Sequence, residues 1–410
     1  MTKYVIIGNG IAGVNAANTI RSEDTKGNIE IYTDEDYLTY ARPKLPGYIA
    51  GIIKFQDLFI RDEHYYNKEK NIQLHLSNKV IDIHIDEQNI ELENGQKVKF
   101  DKLLLANGSH SFVPPIKGSD KKNVMTIRSL NDSNQLISLI KNIDNVVVIG
   151  GGLLGIEIAS SINRRIENVS IIEFFSRLLP RQLDIEGASL LQKVLEQKGI
   201  NIFLNSSVEE ILGNEKVNGV RLKSNEEIPA QCVIISTGVR PNINLAQKCN
   251  INCNRGIIVN EYMETNFPNI YACGDIAEFN GRVWGIIPVA FAQSKVAAIN
   301  MVNDRKIKYE EIVPSNTLKI TDIDLTSIGK IHFEKIPNNI VEKRMSDPKN
   351  KIYKKIVIEN QDDKSILIGA ILLGDKTNSM EIQTLIKQKL NVSNFIDEIL
   401  LPNTDLKKYL

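Results

Sequence analysis

Two glycine triplets, Gly8, Gly10 and Gly13 and then Gly150, Gly152 and Gly155, are the residues whose type and spacing speak most directly of chemistry. Each triplet forms a Gly-x-Gly-x-x-Gly turn between an apolar strand and a helix, and each is followed by a second apolar strand that ends in an acid. The acid is Asp34 or Glu35 in the first copy and Glu173 in the second. In the second copy Gly150 permits a tight turn, Gly152 removes the side chain that would block a pyrophosphate, and Gly155 lets the helix lie close to the strand. The helix N-terminus then offers free N–H groups and a partial positive charge to the phosphates. Glu173, roughly twenty residues beyond the glycines, is placed to accept hydrogen bonds from both ribose hydroxyls of an adenosine. One such turn is weak evidence; two, each complete from strand to acid, predict two bound dinucleotides and a hydride passing between them.

Other candidates stand around these turns. Arg42 and Lys44 flank Pro43 in a stretch of poor apolar periodicity, where they read either as a phosphate or ring-facing clamp or as ordinary surface charges. Glu157, expected on the first turn of the second helix, is placed to touch a carboxamide or ring edge, or else is an acid favoured by the helix dipole. Asp275 ends a buried strand, Ile270 to Cys273, at Gly274, which aims it into the crevice where such sheets bind ligands or makes it a helix N-cap. Cys249 and Cys253 lack a second pair that would complete a metal site, and the four cysteines are too few for a disulfide framework.

The elements that must position these residues follow from pattern. At 410 residues the chain is too long for one core. Its 50 basic and 50 acidic side chains cancel, which gives no global field for nucleic acid or an anionic membrane. No apolar run is long enough to span a bilayer, and the N-terminus runs straight into a strand, so a soluble cytoplasmic protein is expected. The fold class expected is α/β: two Rossmann-like dinucleotide-binding domains and a small C-terminal α+β domain. Strands are predicted at Tyr4 to Ile7, Asn28 to Thr33, Leu103 to Ala106 and Val233 to Gly238, with alternation over Ile72 to Phe100 and a turn at Asn94-Gly95. Helices are predicted at Ile11 to Ile20, Val289 to Met301 and Met380 to Leu390. From about Val313 the chain becomes strand-rich, with Ile352 to Ile358 and Ile366 to Leu373 joined by a polar turn.

The order of GNGIAG, LLLANGS, IGGGLLGIEIA, STGVRPN and YACGDIAE resembles the pyridine nucleotide-disulfide oxidoreductases, over roughly residues 1 to 305. Together with YARPKLPGYIAG, LKITDIDLTSIG and IYKKIVIEN, the chain looks most like NADH:rubredoxin reductases and the flavin portion of assimilatory nitrite reductases. The resemblance implies a discontinuous FAD-binding domain, 1–118 and 240–312, an NAD(P)H-binding domain, 119–239, and a C-terminal domain, 313–410, as a possible partner interface. It implies FAD against Gly8, Gly10, Ile11, Ala12 and Gly13, the acid at Asp34 or Glu35, Arg42, Lys44, the backbone at Val80, the turn Ala106, Asn107 and Gly108, then Arg128, Asp275 and Val289. NADH, in preference to NADPH, is implied at Gly150, Gly152, Leu154, Gly155, Glu157, Glu173 and Gly238.

Departures from the family pattern sharpen the expectation. The usual Ala-Thr-Gly is Ala106-Asn107-Gly108, and the position where relatives carry a lysine is Gly47, which leaves Lys44 as the candidate flavin-facing cation. No cysteine precedes Cys232, so the thiols that disulfide reductases and peroxidases of the family carry near the flavin are absent. A dithiol relay is then impossible. Expected instead is hydride transfer from NADH to flavin N5 and electron release to a small iron protein such as rubredoxin, with Lys44 and Glu157 the only side chains considered for a catalytic role. The rival readings are an NADH oxidase or peroxidase, a ferredoxin reductase, and a flavin-bound regulatory or scaffold protein.

Overall fold

In the computed structural model, which describes all residues except 321–322, 362 and 402–403, the two glycine turns lie at the centres of two parallel sheets. The first sheet has the order Ile270–Ala272, Lys102–Leu105, Lys3–Ile7, Asn28–Tyr32, Ile72–His75, with every pair parallel. The second runs Ile200–Phe203, Asn168–Ile172, Asn145–Ile149, Cys232–Ile235, Val124–Met125, again all parallel. These largely apolar strands are covered on both faces; in the second sheet one face packs on the helices Leu153–Ile162 and Ile185–Glu196 and the other on the antiparallel strands Val208–Leu212, Gly219–Leu222 and Glu227–Pro229. The strand before the glycines sits between Asn28–Tyr32 and Lys102–Leu105 in the first sheet and between Asn168–Ile172 and Cys232–Ile235 in the second. The order therefore reverses there, which is where open α/β sheets bind their ligands.

The strand predicted from Val233 to Gly238 stops at Ile235, and the alternation from Ile72 to Phe100 divides between two sheets. Ile72–His75 joins the parallel sheet, while Val80–His84, Asn89–Leu92 and Lys97–Lys99 form a separate antiparallel meander that contains the Asn94-Gly95 turn. The predicted helices are found at Ile11–Glu23, Ile287–Asn303 and Ser379–Gln388. Among the described residues no helix is long and apolar enough to cross a membrane.

Contacts divide the chain into two units, residues 1–44, 53–110 and 239–312 in one, and 45–52, 111–238 and 313–410 in the other. The first is built around the first glycine turn. The second contains the second turn, the short helix Leu45–Ile49, and a five-stranded antiparallel sheet ordered Ser315–Ile320, Ile323–Gly329, Lys364–Leu373, Ile352–Gln361, Ile340–Asp347. Thr321 and Asp322 of the LKITDIDLTSIG stretch, and Asp362 of the polar turn, lie outside the described residues.

Strand alternation decides how this sheet is used. Leu372 and Ile356 pack on Ile382, Leu385 and Ile386 of the helix Ser379–Gln388. Their neighbours Ile371, Leu373 and Tyr353 join instead the core around the second parallel sheet, with Leu183, Leu191 and Val194. Two consecutive lysines follow the same rule. Lys354 is 2% exposed and its Nζ is 2.6 Å from Asp375 Oδ2, whereas Lys355, 3% exposed, pairs with Glu342 and Asp184.

Burial works against ionisation of Asp375, but Lys354 and the Thr377 hydroxyl and N–H outweigh it and hold its carboxyl down at about 2. A carboxyl depressed on folding contributes stability that is complete above its unfolded value, near 4, and is lost as pH falls through about 2. Urea unfolding of wild type and Asp375→Asn should therefore differ by about 2 kcal/mol at pH 6, with the difference shrinking between about pH 4 and pH 2. A pH-independent difference would exclude this linkage.

Candidate dinucleotide sites

The two glycine turns have one backbone geometry. Gly8 has φ +110° and Gly150 φ +113°, and their N–H groups donate to Tyr32 O and Ile172 O, each at 2.8 Å. A side chain at either would strike the adjacent strand end, at the Ala106 carbonyl for Gly8 and the Ser236 carbonyl for Gly150. At Gly13 a Cβ would run into the Gly8 carbonyl oxygen, and at Gly155 into that of Gly150. Gly10 and Gly152, by contrast, cap their helices in extended backbone, and a Cβ there meets no protein atom within 4 Å. Three glycines are thus needed for three reasons: a left-handed turn, an open face and a close helix. The open faces at the two helix N-termini fit the pyrophosphates of FAD and NADH.

Residues around the first turn gather in the first unit. Ile11 and Ala12 begin the helix, and Ala12 Cβ would lie 2.9 Å from a Cβ at Gly274, so the strand end carrying Asp275 must approach as glycine. Ser109 donates to Asp275 Oδ2 at 2.9 Å, and Gly274 N–H donates to Gln293 Oε1 at 3.0 Å, on the helix that Val289 begins to bury. Asn107 and Asn242 exchange side-chain-to-backbone bonds of 3.1 and 2.6 Å, yet Asn107 Oδ1 is buried without a partner. Gly108, at φ +64°, faces open space where a Cβ would be. These features fit a crevice that takes a polar ring system.

The acid of the first fold is displaced. By strand register Tyr32 matches Ile172, which puts Thr33, not an acid, at the position of Glu173. Asp34 follows as an exposed residue, while Glu35 accepts from the Tyr40 hydroxyl at 2.6 Å and pairs with Arg42. Arg42 also lies over the Tyr40 ring, 5.6 Å from its centroid, and Lys44 is exposed with its ammonium on the Asp57 carbonyl at 2.7 Å. Val80 opens the meander two residues after Asn78, whose N–H donates to Thr33 O at 2.7 Å. Arg128 belongs to the second unit, where its N–H donates to Asp132.

Three residues not singled out in the sequence hold the first turn in place. Asn9, between the first two glycines, accepts at Oδ1 from Thr39 (2.7 Å), and the Tyr66 hydroxyl lies against the Thr39 hydroxyl and 3.2 Å from the same amide oxygen. All three are buried. The only sequence signal was an amide inside the glycine motif.

Around the second turn, Glu173 is 6% exposed and its two oxygens accept from Gly151 N–H at 2.6 Å and Phe175 N–H at 2.8 Å. Each carboxylate oxygen retains a lone pair for a ribose hydroxyl. Leu154 lies in the first turn of the helix Leu153–Ile162. Glu157 is the fifth residue of that helix, not part of its first turn, so the dipole account of this acid is corrected: the effect fades beyond the first turn. Gly238, at φ +104°, accepts from Phe112 N–H at 2.9 Å and leaves open space where a Cβ would be. Arg177 is engaged with the Leu183 and Pro180 carbonyls at 3.1 and 3.0 Å.

The chain belongs to the pyridine nucleotide-disulphide oxidoreductase family, whose sequence profile matches residues 2–298; its cofactors are FAD and NADH. The rubredoxin NAD+ reductase C-terminal domain matches residues 314–390. The chain is similar to the nitrite reductase (NAD(P)H) of Bacillus subtilis, 34% identical over 95% of this chain and 48% of that protein. It is similar also to the NADH-rubredoxin oxidoreductase of Clostridium acetobutylicum, 34% identical over 92% of this chain and 93% of that one. The crystal structure of NADH:rubredoxin oxidoreductase from Clostridium acetobutylicum superposes with a TM-score of 0.78 at 31% identity, covering 97% of this chain and 99% of the other. The chain spans about half the length of the curated relatives it matches first, 48% and 51%.

Gly10→Ala and Gly152→Ala separate fold from ligand. Each should leave the melting temperature of the ligand-free protein nearly unchanged, because the new methyl meets no protein atom. Gly10→Ala should weaken FAD binding about tenfold or more, and Gly152→Ala NADH binding by a similar factor, each 1.4 kcal/mol being tenfold. Flavin fluorescence titration and nucleotide titration read the two losses separately.

Proposed function

We propose that this chain is an FAD-dependent NADH oxidoreductase that delivers electrons to a small iron protein such as rubredoxin. The carrying observation is the pair of complete glycine cradles in a chain whose four cysteines are buried or half-buried and all follow residue 231. Among the described residues Cys232 and Cys273 are buried and Cys249 and Cys253 are half-buried, and none is in a disulfide. Burial pushes the Cys232 thiol up to about 12, and burial followed by the charges of Cys249 and Glu278 pushes Cys253 up to about 11. Thiolates, the nucleophilic form, are therefore suppressed at neutral pH. Bound FAD supplies the exchange between a two-electron donor and one-electron acceptors. The rubredoxin reductase-type C-terminal domain supports an iron-protein acceptor.

The protein's part is binding and orientation. The turn Gly8, Gly10, Gly13 presents a helix N-terminus to the FAD pyrophosphate, and the exposed Asp34 receives the ribose, Glu35 being engaged with Tyr40 and Arg42. Ser109-held Asp275 and the Asn107 amide line the flavin crevice. Glu173 receives the adenosine ribose of NADH through oxygens already fixed by two backbone N–H groups. Its charge disfavours a 2′-phosphate. Glu157 contacts the carboxamide end. The FAD-binding segments are 1–118 and 240–312, the NADH-binding domain 119–239, and 313–410 is the surface that selects the partner.

Anaerobic stopped-flow mixing with NADH and then oxidised rubredoxin tests the reading. Rapid flavin bleaching followed by recovery with rubredoxin reduction is expected. Bleaching without response to rubredoxin discards that acceptor, and recovery only on admitting oxygen would establish an oxidase. In the same assay Glu173→Ala should raise the NADH Kd about tenfold and narrow the preference over NADPH, since a charged-group hydrogen bond contributes roughly 1.5–3 kcal/mol.

A further inference from the structure

The loop after Glu173 is pinned at both ends. Leu179 N–H donates to the Gly151 carbonyl at 3.0 Å, and the Leu178 side chain packs so closely on Gly151 that a Cβ there would stand 2.6 Å from its Cδ2. Leu179 takes φ +48°, a left-handed backbone that a leucine adopts only where its surroundings dictate it. Leu178, Leu179 and Leu183 are fully buried. The loop ends at Asp184, which caps the helix Ile185–Glu196 by accepting Gly187 N–H at 3.1 Å.

Asp184 is also where the C-terminal sheet reaches the nucleotide domain. The Tyr353 hydroxyl donates to Asp184 Oδ2 at 2.6 Å, and Lys355 Nζ lies 3.5 Å from the same oxygen and 2.8 Å from Glu342 Oε1. Arg344 Nε is 3.6 Å from Asp184 Oδ2, and its far end pairs with Glu342. The Tyr353 ring fits against Gly187, where a Cβ would come within 3.0 Å of it. A carboxylate this enclosed is costly to displace, because each partner would be left with an uncompensated charge or donor. Hydrogen bonds and packed side chains thus run without a break from the sheet through Asp184 and the loop to Gly151, whose N–H holds Glu173.

We propose that Tyr353 and Lys355 are positioning residues for the nicotinamide nucleotide: through Asp184 the C-terminal sheet holds the 174–184 loop, and with it the Gly151–Glu173 contact that receives the adenosine ribose. The role rests on the reading of Glu173 as the ribose acceptor. It gives the C-terminal domain a part in coenzyme affinity and selection besides any part in partner choice.

Calorimetric titration of the oxidised holoenzyme with ADP-ribose and with its 2′-phosphate tests this without turnover. Tyr353→Phe keeps the ring and removes one donor. It should weaken ADP-ribose binding on the order of fivefold, at the lower end of ordinary site-to-site coupling, weaken the 2′-phosphate less, and leave FAD occupancy unchanged. Asp184→Ala should do the same, and Asp184→Asn, whose one amide oxygen still accepts Gly187 N–H while its NH2 faces the Tyr353 hydroxyl, should recover part of the loss. A fall in melting temperature with both ligand affinities unchanged would reduce the sheet to a packing partner and overturn the proposal. Equal losses for both ligands would also overturn it, because displacement of Glu173 must alter their ratio. Wild-type protein that binds no ADP-ribose would remove the ribose reading itself and this role with it.

Discussion

In both halves of this molecule a helix lies against its own glycine turn at a distance that leaves no room for a Cβ, at Gly13 over the Gly8 carbonyl and at Gly155 over that of Gly150. That approach points the helix N-terminus at the space above the middle glycine. Without it the unsatisfied N–H groups would be directed elsewhere, and the binding face would be lost even if every strand remained paired. The same crowding recurs one strand over, where Gly8 meets the Ala106 carbonyl and Gly150 that of Ser236. Each turn is therefore fixed by two neighbouring strands and one helix, all at the point where strand order reverses.

Identical backbones are secured by different side chains. In the second fold the carboxylate of Glu173 bonds back to Gly151, and that residue must be glycine because Leu178 and Glu173 occupy the space beside it. In the first fold a shorter Thr33 stands at the corresponding register position, and the middle residue is Asn9, whose amide engages Thr39 and Tyr66. The second turn is thus tied to the acid that ends its strand, whereas the first turn is tied to the loop that carries Arg42.

The C-terminal sheet shows how a two-residue period distributes function. Lys354 and Lys355 are adjacent in sequence and point to opposite faces, one to Asp375 beside the outer helix and the other to Asp184 at the nucleotide domain. Buried ion pairs add little net stability in general but tolerate few alternative arrangements. Here they fix which face of the sheet meets which neighbour.

Much of this was legible from periodicity and spacing. The two glycine turns, Glu173, the parallel sheets, the strand-rich region after Val313 and the absence of a cysteine before Cys232 are local properties of the chain, set by backbone sterics and by which side chains can enter an apolar core. What the sequence could not place were particular contacts and positions: Thr33 at the step of the first fold that Glu173 holds in the second, Glu35 claimed by Tyr40 and Arg42, Arg177 turned onto its own loop, and Asp184 reached by Tyr353 across 169 positions. Motifs by themselves determined the class of ligand, because phosphate-binding turns need particular residues at particular steps. Only the tertiary structure decided which charges remain available to a ligand, because an ionic side chain goes to whichever partner the packing of remote elements brings within reach.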